Sequence, residues 1–349
     1  MSISKPIQLG VCCLNTTLRT QKPTVFASRS IILRTLHEQG VDFLKEKILQ
    51  NLQDLLVMIE WNEQHGIKVF RLSSGLFPHK SNVRAQDYSL DFAQELLTQI
   101  GSLAKKYNQR LTFHPGQYNV IGSPHEKVVE STTRDLLYHA EVLDALQAPP
   151  DSVMVIHGGG TYGDKEATKE RWCENYLKMP DPIRRRLVLE NCEKNFSIED
   201  CLEISEKVHV PVVFDTHHYT CYNILHPTTS EFTNTIKPAE EYIARILATW
   251  TRRHLKPKFH VSEQGSGKCG HHSDYIEEIP EYLLEIPEKY GIEIDIMIEA
   301  KKKELAIFRL YEKYPQLNCK IIPQPKDKTP TTEKKVKKVK KVKLVLKKN

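Results

Sequence analysis

Apolar and polar positions along this chain follow two alternating patterns. Short aliphatic or β-branched runs have the length and composition of strands: Ile7–Cys13, Lys68–Ser73, Arg110–His114, Ser152–His157, Leu187–Glu190, Val210–Asp215, Lys258–Ser262 and Ile294–Glu299. Between them lie stretches with apolar residues at helical spacing. The clearest is Val41–Gln64, where Ile48, Leu49, Leu52, Leu55, Leu56 and Ile59 fall on one face. Ser89–Tyr107, Lys127–Leu146, Glu166–Leu177, Ile198–Lys207, Pro238–Arg252, Tyr275–Tyr290 and Lys301–Tyr314 fit helices in the same way. Eight strands alternating with eight helices predict an α/β protein, a single (β/α)8 TIM barrel. The unbroken apolar runs Val153–Ile156 and Val212–Phe214 agree, because parallel barrel strands are covered on both faces. Pro211 is tolerated at the start of its strand.

The 349 residues accommodate such a barrel, which needs about 250. A composition of 40% hydrophobic and 27% charged residues supplies a core without staples. Charge divides the chain into a barrel domain, 1–322, and a basic flexible tail, 323–349. From Gln324 to Asn349 there are eleven Lys against two acids, a balance of +9 within a whole-chain balance of +6, so the body carries about −3. The tail, KKVKKVKKVKLVLKK preceded by Pro323, Pro325 and Pro330, reads as a solubilising arm, a nucleic-acid tether or a nuclear-import segment. The eight cysteines never fall in C-x-x-C spacing, which excludes zinc-ribbon and redox motifs, and free thiols are expected. Cys12 and Cys13, adjacent on a strand, would face opposite sides. No run approaches a membrane span and MSISKPIQ lacks a secretory apolar segment, so an intracellular protein of nucleus or cytoplasm is expected. No G-x-S-x-G or P-loop string occurs. His157-Gly158-Gly159-Gly160 falls short of a dinucleotide fingerprint and reads as a tight turn where phosphate can approach backbone.

The C-terminal strand ends carry the chemistry. In order they offer Asn15, Ser73 with Ser74, His114, His157, Glu190, Asp215 with His218, His260, and Glu299. In β/α barrels the βα loops open on that face and catalytic groups gather there. Singly, each His reads as a hydrogen-bonded core residue; the set does not. Buried carboxylates need neutralising charge, and the body cations on strand runs near this rim are Arg71 and Lys258. Divalent cations would supply the rest. Three carboxylates with His114, His157, His218, His260 and His272 exceed the needs of one tetrahedral ion, so two or three ions are expected. Imidazole and carboxylate without thiolate fit manganese, zinc, cobalt or iron better than calcium.

The strings RLSSGLFPHKSN, FHPGQYNVIGSP, VIHGGG, LVLENCEK, VFDTHHY, PKFHVS, HHSDYI and IMIEAKKKE, in this order over about Leu9 to Leu310, resemble those of ultraviolet damage endonucleases. The resemblance implies a monomeric repair enzyme, related in fold to endonuclease IV and to metal-dependent sugar isomerases, that acts on double-stranded DNA containing UV lesions. It would nick on the 5′ side of cyclobutane dimers and 6-4 photoproducts, leaving 3′-hydroxyl and 5′-phosphate ends, with manganese as the preferred ion. It implies metal ligation by His114, His157, bridging Glu190, Asp215, His218, His260 and Glu299. Catalytic roles fall to Glu190, Lys258 and His272, and lesion binding to Gln117 and Tyr118. Many relatives have a His where this chain has Asn82. Asn82 would ligate through oxygen, His79 would substitute, or occupancy there would be weak. Lys258 cannot ligate while protonated: its pKa is lowered, it carries a carbamate, or it points to phosphate. A sugar isomerase with the same rim and a non-enzymatic DNA-binding protein acting through its tail are the rival readings.

Deleting Lys334–Asn349 should weaken binding to damaged and undamaged duplex by similar factors. It should also flatten the salt dependence by about 0.9 in log–log slope for each phosphate that the tail neutralises. Competition binding at several salt concentrations checks this, and loss of lesion discrimination would make the tail a reader instead of a tether.

Overall fold

The computed structural model describes residues 5–227 and 237–320, and the tail foreseen over 323–349 lies outside them. Eight strands, β1 (Ile7–Cys12), β2 (Val69–Arg71), β3 (Arg110–Thr112), β4 (Met154–His157), β5 (Leu187–Glu190), β6 (Val212–Asp215), β7 (Lys258–Val261) and β8 (Ile294–Ile298), pair in the order β3-β2-β1-β8-β7-β6-β5-β4. Every pairing is parallel. A parallel bridge between Phe113 and Met154 joins β3 to β4 and closes the barrel. Nearly every strand residue is buried, as expected where helices cover one face and barrel-filling side chains the other. All eight strands fall inside the expected runs; β5 matches its run end to end and the other seven are shorter by one to three residues.

The helices depart from expectation where side chains or prolines intervene. The first long helix spans Leu33–Gln64, with Gly40 at φ 81° breaking it ahead of the expected start at Val41. The expected helix Tyr275–Tyr290 is instead two short turns, Glu281–Leu284 and Ile286–Tyr290, because Pro280 and Pro287 each restrict the chain to starting a helix anew. Lys301–Tyr314 begins only at Glu304. An additional helix, Thr216–Leu225, has no apolar stripe. Asp215 caps it, its Oδ1 accepting from the backbone N–H groups of His217 and His218 at 2.8 and 2.7 Å. Cys13 does not continue β1: its φ of 59° ends the strand, so it does not alternate with Cys12 as a strand neighbour would.

The two ends of the barrel are built differently. At the N-terminal end Asp295 is neutralised within the protein by Arg110 at 2.8 Å and Lys256 at 2.7 Å. At the C-terminal end carboxylates face mostly imidazoles, and that end holds the site.

Candidate metal centre

Glu190, the last residue of β5, is fully buried and is the hub. Its Oε2 lies 2.9 Å from His114 Nε2 and 3.0 Å from His157 Nε2; its Oε1 lies 2.6 Å from His260 Nδ1 and 3.8 Å from His218 Nδ1. His114 stands just past β3, His157 ends β4, His260 is in β7 and His218 is in the first turn after β6, so one carboxylate gathers four elements. His260 Nδ1 also approaches Glu299 Oε1 at 3.1 Å, and Glu299 pairs with Arg71. His272, on the loop after β7, places Nδ1 3.9 Å from Glu299 Oε2.

Two sets of donor atoms lie within 4.8 Å of one another: His114, His157 and Glu190, and Glu190, Asp215, His260 and Glu299. Glu190 belongs to both. Two polar atoms of these sets are buried without a hydrogen-bond partner among the described residues. Asp215 Oδ2 has none, and His157 Nε2 approaches Glu190 at an angle that makes no hydrogen bond. Buried polar atoms left in this way lose their hydration without return, and a cation in each set, accepting the lone pair there, would restore it. The donor set is chemically suited to divalent transition ions.

Groups behind the donors fix their orientation. Asn191 exchanges two hydrogen bonds with the backbone of Asp215, at 2.8 and 3.1 Å, and its carbonyl accepts from His218 Nδ1 at 3.1 Å, leaving Nε2 of that ring for a ligand or proton. Lys258 is fully buried with Nζ 2.7 Å from His260 Nε2, and Arg71 approaches the same nitrogen at 3.2 Å. Arg71 and Asn191 were not among the expected site residues. Arg71 was visible as a rim cation, whereas Asn191 gave no signal of its own beyond following Glu190.

Electrostatics follow from burial and crowding. Burial opposes ionisation of Glu190, yet the imidazoles of His260, His157 and His114 hold its carboxyl well below the usual range. Burial pushes Asp215 up to about 7, against the pull of His218 and helped by Glu190 and Glu299. Burial also opposes charge on His218, but Asp215, Glu190 and Glu299 raise it to about 9. Burial lowers His260 to about 3, and burial followed by Arg71 and Arg110 lowers Lys258 to about 7.

His79 joins neither donor set, and neither do His218 and His272. His79 Nε2 donates to the Ile31 carbonyl at 2.6 Å, and Asn82 Nδ2 lies 3.5 Å from its Nδ1. Gln117 and Tyr118 are the exposed central residues of a turn closed by Asn119 N–H donating to the Gly116 carbonyl at 3.0 Å. Asp135, which sequence reasoning passed over, anchors that turn: it accepts from Tyr118 at 3.1 Å, Asn119 at 2.8 Å and Ser81 at 2.6 Å. A cavity of about 790 Å³ opens beside the cluster, lined in part by His217, Cys221, Ser262, Gln264 and Tyr282.

The fold and the site define a parallel α/β barrel with a metal-capable cluster of imidazoles and carboxylates at its C-terminal strand ends. The family model described as UV-endonuclease UvdE matches residues 7–325, and the chain belongs to that family. It is 43% identical over 313 residues to a protein of Acanthamoeba polyphaga mimivirus, spanning 88% of this chain and 91% of that one. It is 40% identical over 326 residues to the UV-damage endonuclease of Schizosaccharomyces pombe, spanning 89% of this chain and 52% of that one, so it covers about half of the yeast protein. Among solved structures, that of SacUVDE superposes with a TM-score of 0.74 at 30% identity, covering 89% of this chain and all (100%) of that one. Endonuclease IV of Thermus thermophilus, at TM-score 0.50 and 16% identity over 75% of this chain and 94% of that one, shares the fold alone.

Metal binding should release protons and tighten with pH. Below about 7 Asp215 holds a proton, and below about 9 His218 holds one. Each must leave before its lone pair can ligate, so affinity should rise as pH increases through both values. Manganese titration in weakly buffered solution, following proton release and affinity together, checks this. No release and a flat affinity would remove both residues from the ligand set.

Proposed function

We propose that this protein nicks duplex DNA on the 5′ side of cyclobutane pyrimidine dimers and 6-4 photoproducts by metal-assisted hydrolysis, acting as a monomer wherever cellular DNA lies, nucleus or cytoplasm. Beyond family membership, the reading is carried by one observation: Glu190 is shared by two sets of metal-capable donors. His114, His157, Glu190, Asp215, His218, His260 and Glu299 would hold two or three divalent ions, manganese foremost. Bound there, such ions supply Lewis acidity toward phosphate and activate water near neutral pH.

The chain's own residues then have separable tasks. Glu190 joins the two donor sets. Asp215 and His218 give up protons on loading, and Asn191 keeps their lone pairs aimed. Lys258, buried and lowered to about 7, is suited to accept a hydrogen bond from His260 once that ring presents Nδ1 as a ligand, which favours the lowered-pKa reading of this lysine. His272, part-exposed beside Glu299, stands at the outer edge where a phosphate would arrive. His79 donates Nε2–H to the Ile31 carbonyl, which leaves its Nδ1 for a ligand, so His79 and Asn82 both remain candidates on that loop.

Gln117 and Tyr118 suit the task of probing the duplex. Photoproducts weaken stacking and pairing, so a lesion opens at lower cost than intact DNA, and an inserted side chain exploits the difference. The cavity beside the cluster has the size of ligand sites that receive an extruded group.

Denaturing-gel analysis of an end-labelled, ultraviolet-irradiated duplex with added manganese tests the reaction. Breaks should appear 5′ to pyrimidine pairs and vanish with chelator. Glu190→Gln should cut nicking by at least the roughly 10–100-fold that changes behind a metal ligand cost, with metal loss by elemental analysis and an unchanged circular dichroism spectrum. Full activity in this variant would take Glu190 out of the centre.

The double variant Gln117→Ala/Tyr118→Ala should keep its metal content while losing affinity for damaged duplex far more than for intact duplex. Lost stacking is worth about 1–3 kcal/mol per base. Competition binding of the two duplexes at fixed salt measures the ratio, and an unchanged ratio returns both residues to a packing role.

A further inference from the structure

After Glu299 the chain makes a tight turn in which Leu305 N–H donates to the Lys302 carbonyl at 3.0 Å. Its first central residue, Lys303, has φ 49° and ψ −120°. These are the angles of the first central position of a type II′ turn, where glycine is the usual occupant because a Cβ crowds the backbone. The turn has an evident structural use. It swings Glu304 inward, fully buried, to accept from the backbone N–H groups of Thr16 at 2.8 Å and Thr17 at 2.7 Å and from both threonine hydroxyls.

Nothing in that clamp uses a side chain at position 303, and glycine would form the turn with less strain. The lysine is nevertheless there, half-buried, and no carboxylate stands within ion-pair distance of its ammonium among the described residues; neighbouring Lys302 takes Asp274 at 3.9 Å. Its charge acts on Cys12 and Cys13 at the end of β1 and on His272 after β7. Its backbone N–H donates to the carbonyl of Ala300, the residue after Glu299, at 3.2 Å, so the turn that carries the lysine adjoins the edge of the cluster. An uncompensated cation held at strained backbone beside a metal-capable cluster fits an anion that arrives with the substrate.

We propose that Lys303 is a catalytic residue that binds the scissile phosphate of the DNA backbone. It would neutralise charge on the non-bridging oxygens as water oxygen bonds to phosphorus and the P–O3′ bond breaks. The water proton ends on O3′, and Lys303 keeps its own proton throughout. This assignment rests on the endonuclease reading above and adds to it a phosphate contact made by the chain itself.

Lys303→Met should lower kcat for nicking about 100-fold, the scale of losing one preorganised charge donor, with metal content unchanged. Lys303→Arg should recover part of the rate. Lys303→Gly should be as slow as the Met variant yet melt at or above the wild-type temperature, because the turn gains its preferred residue. A purely structural lysine would move those two readouts together. Independently of turnover, protein in chelator should bind a nicked duplex bearing a 5′-phosphate more tightly than one bearing a 5′-hydroxyl, and Lys303→Met should abolish that preference. Wild-type nicking rates and phosphate preference in Lys303→Met would overturn the proposal. If the wild type fails to nick irradiated DNA, the endonuclease reading falls, and the phosphate comparison still decides the role of Lys303.

Discussion

Glu190, Asp215 and Glu299 bring three carboxyl groups into one buried volume at the ends of β5, β6 and β8, and the protein's own cations do not balance them. Arg71 is committed to Glu299, and Lys258 is driven toward neutrality by burial beside Arg71 and Arg110. Removing a carboxylate from water without a partner costs several kcal/mol even after relaxation. The protein alone meets this by holding protons, on Asp215 up to about 7 and on His218 up to about 9. Divalent charge meets it better, since it satisfies the orphaned Asp215 Oδ2 and His157 Nε2 as well. The contrast with Asp295 is informative: at the opposite end two basic side chains flank one acid, and no set of metal-capable donors forms there among the described residues.

Such a cluster is useful only if its donors cannot turn away. Parallel closure supplies the coarse placement, because the strands all end on one face. Fine placement comes from the Asn191 bracket on Asp215 and His218 and from Lys258 and Arg71 behind His260. The loops above are tied down as firmly: Asp135 links the loop after β2, through Ser81, to the turn that displays Tyr118. A probe on that turn would therefore move with the barrel, which is what distinguishing a weakened base step from a sound one requires.

The barrel was legible because β-branched runs at regular intervals are hard to satisfy in another way, and the donors were legible because they sit at the ends of those runs. His114, His157, Glu190, Asp215, His260 and Glu299 come together as strand order alone would place them. What failed was local. Thr216–Leu225 is helical because Asp215 caps it, a single side-chain interaction with no periodic signature. Tyr275–Tyr290 has helical periodicity, but its prolines override it. His79 is held by the Ile31 carbonyl through Nε2, a contact between loops that no local pattern reveals, and its Nδ1 is left for a ligand. Arg71 was legible as one of two rim cations, but sequence cannot say which carboxylate a strand-borne guanidinium meets, and here it is Glu299.

Backbone strain gives an independent reading of where function lies. Among the described residues, eight non-glycine positions have positive φ. Asn108, Gln147, His209 and His254 each follow the end of a helix on the N-terminal face, where a left-handed residue is the ordinary way to stop one. Cys13, His79, Tyr162 and Lys303 lie instead in the loops after β1, β2, β4 and β8, and none of them stops a helix. Each costs of order 1–3 kcal/mol where glycine would cost little. The first four are explained by helix geometry wherever the active face happens to be. The second four share only their position around the mouth of the barrel, so the strain tracks the site and not the fold.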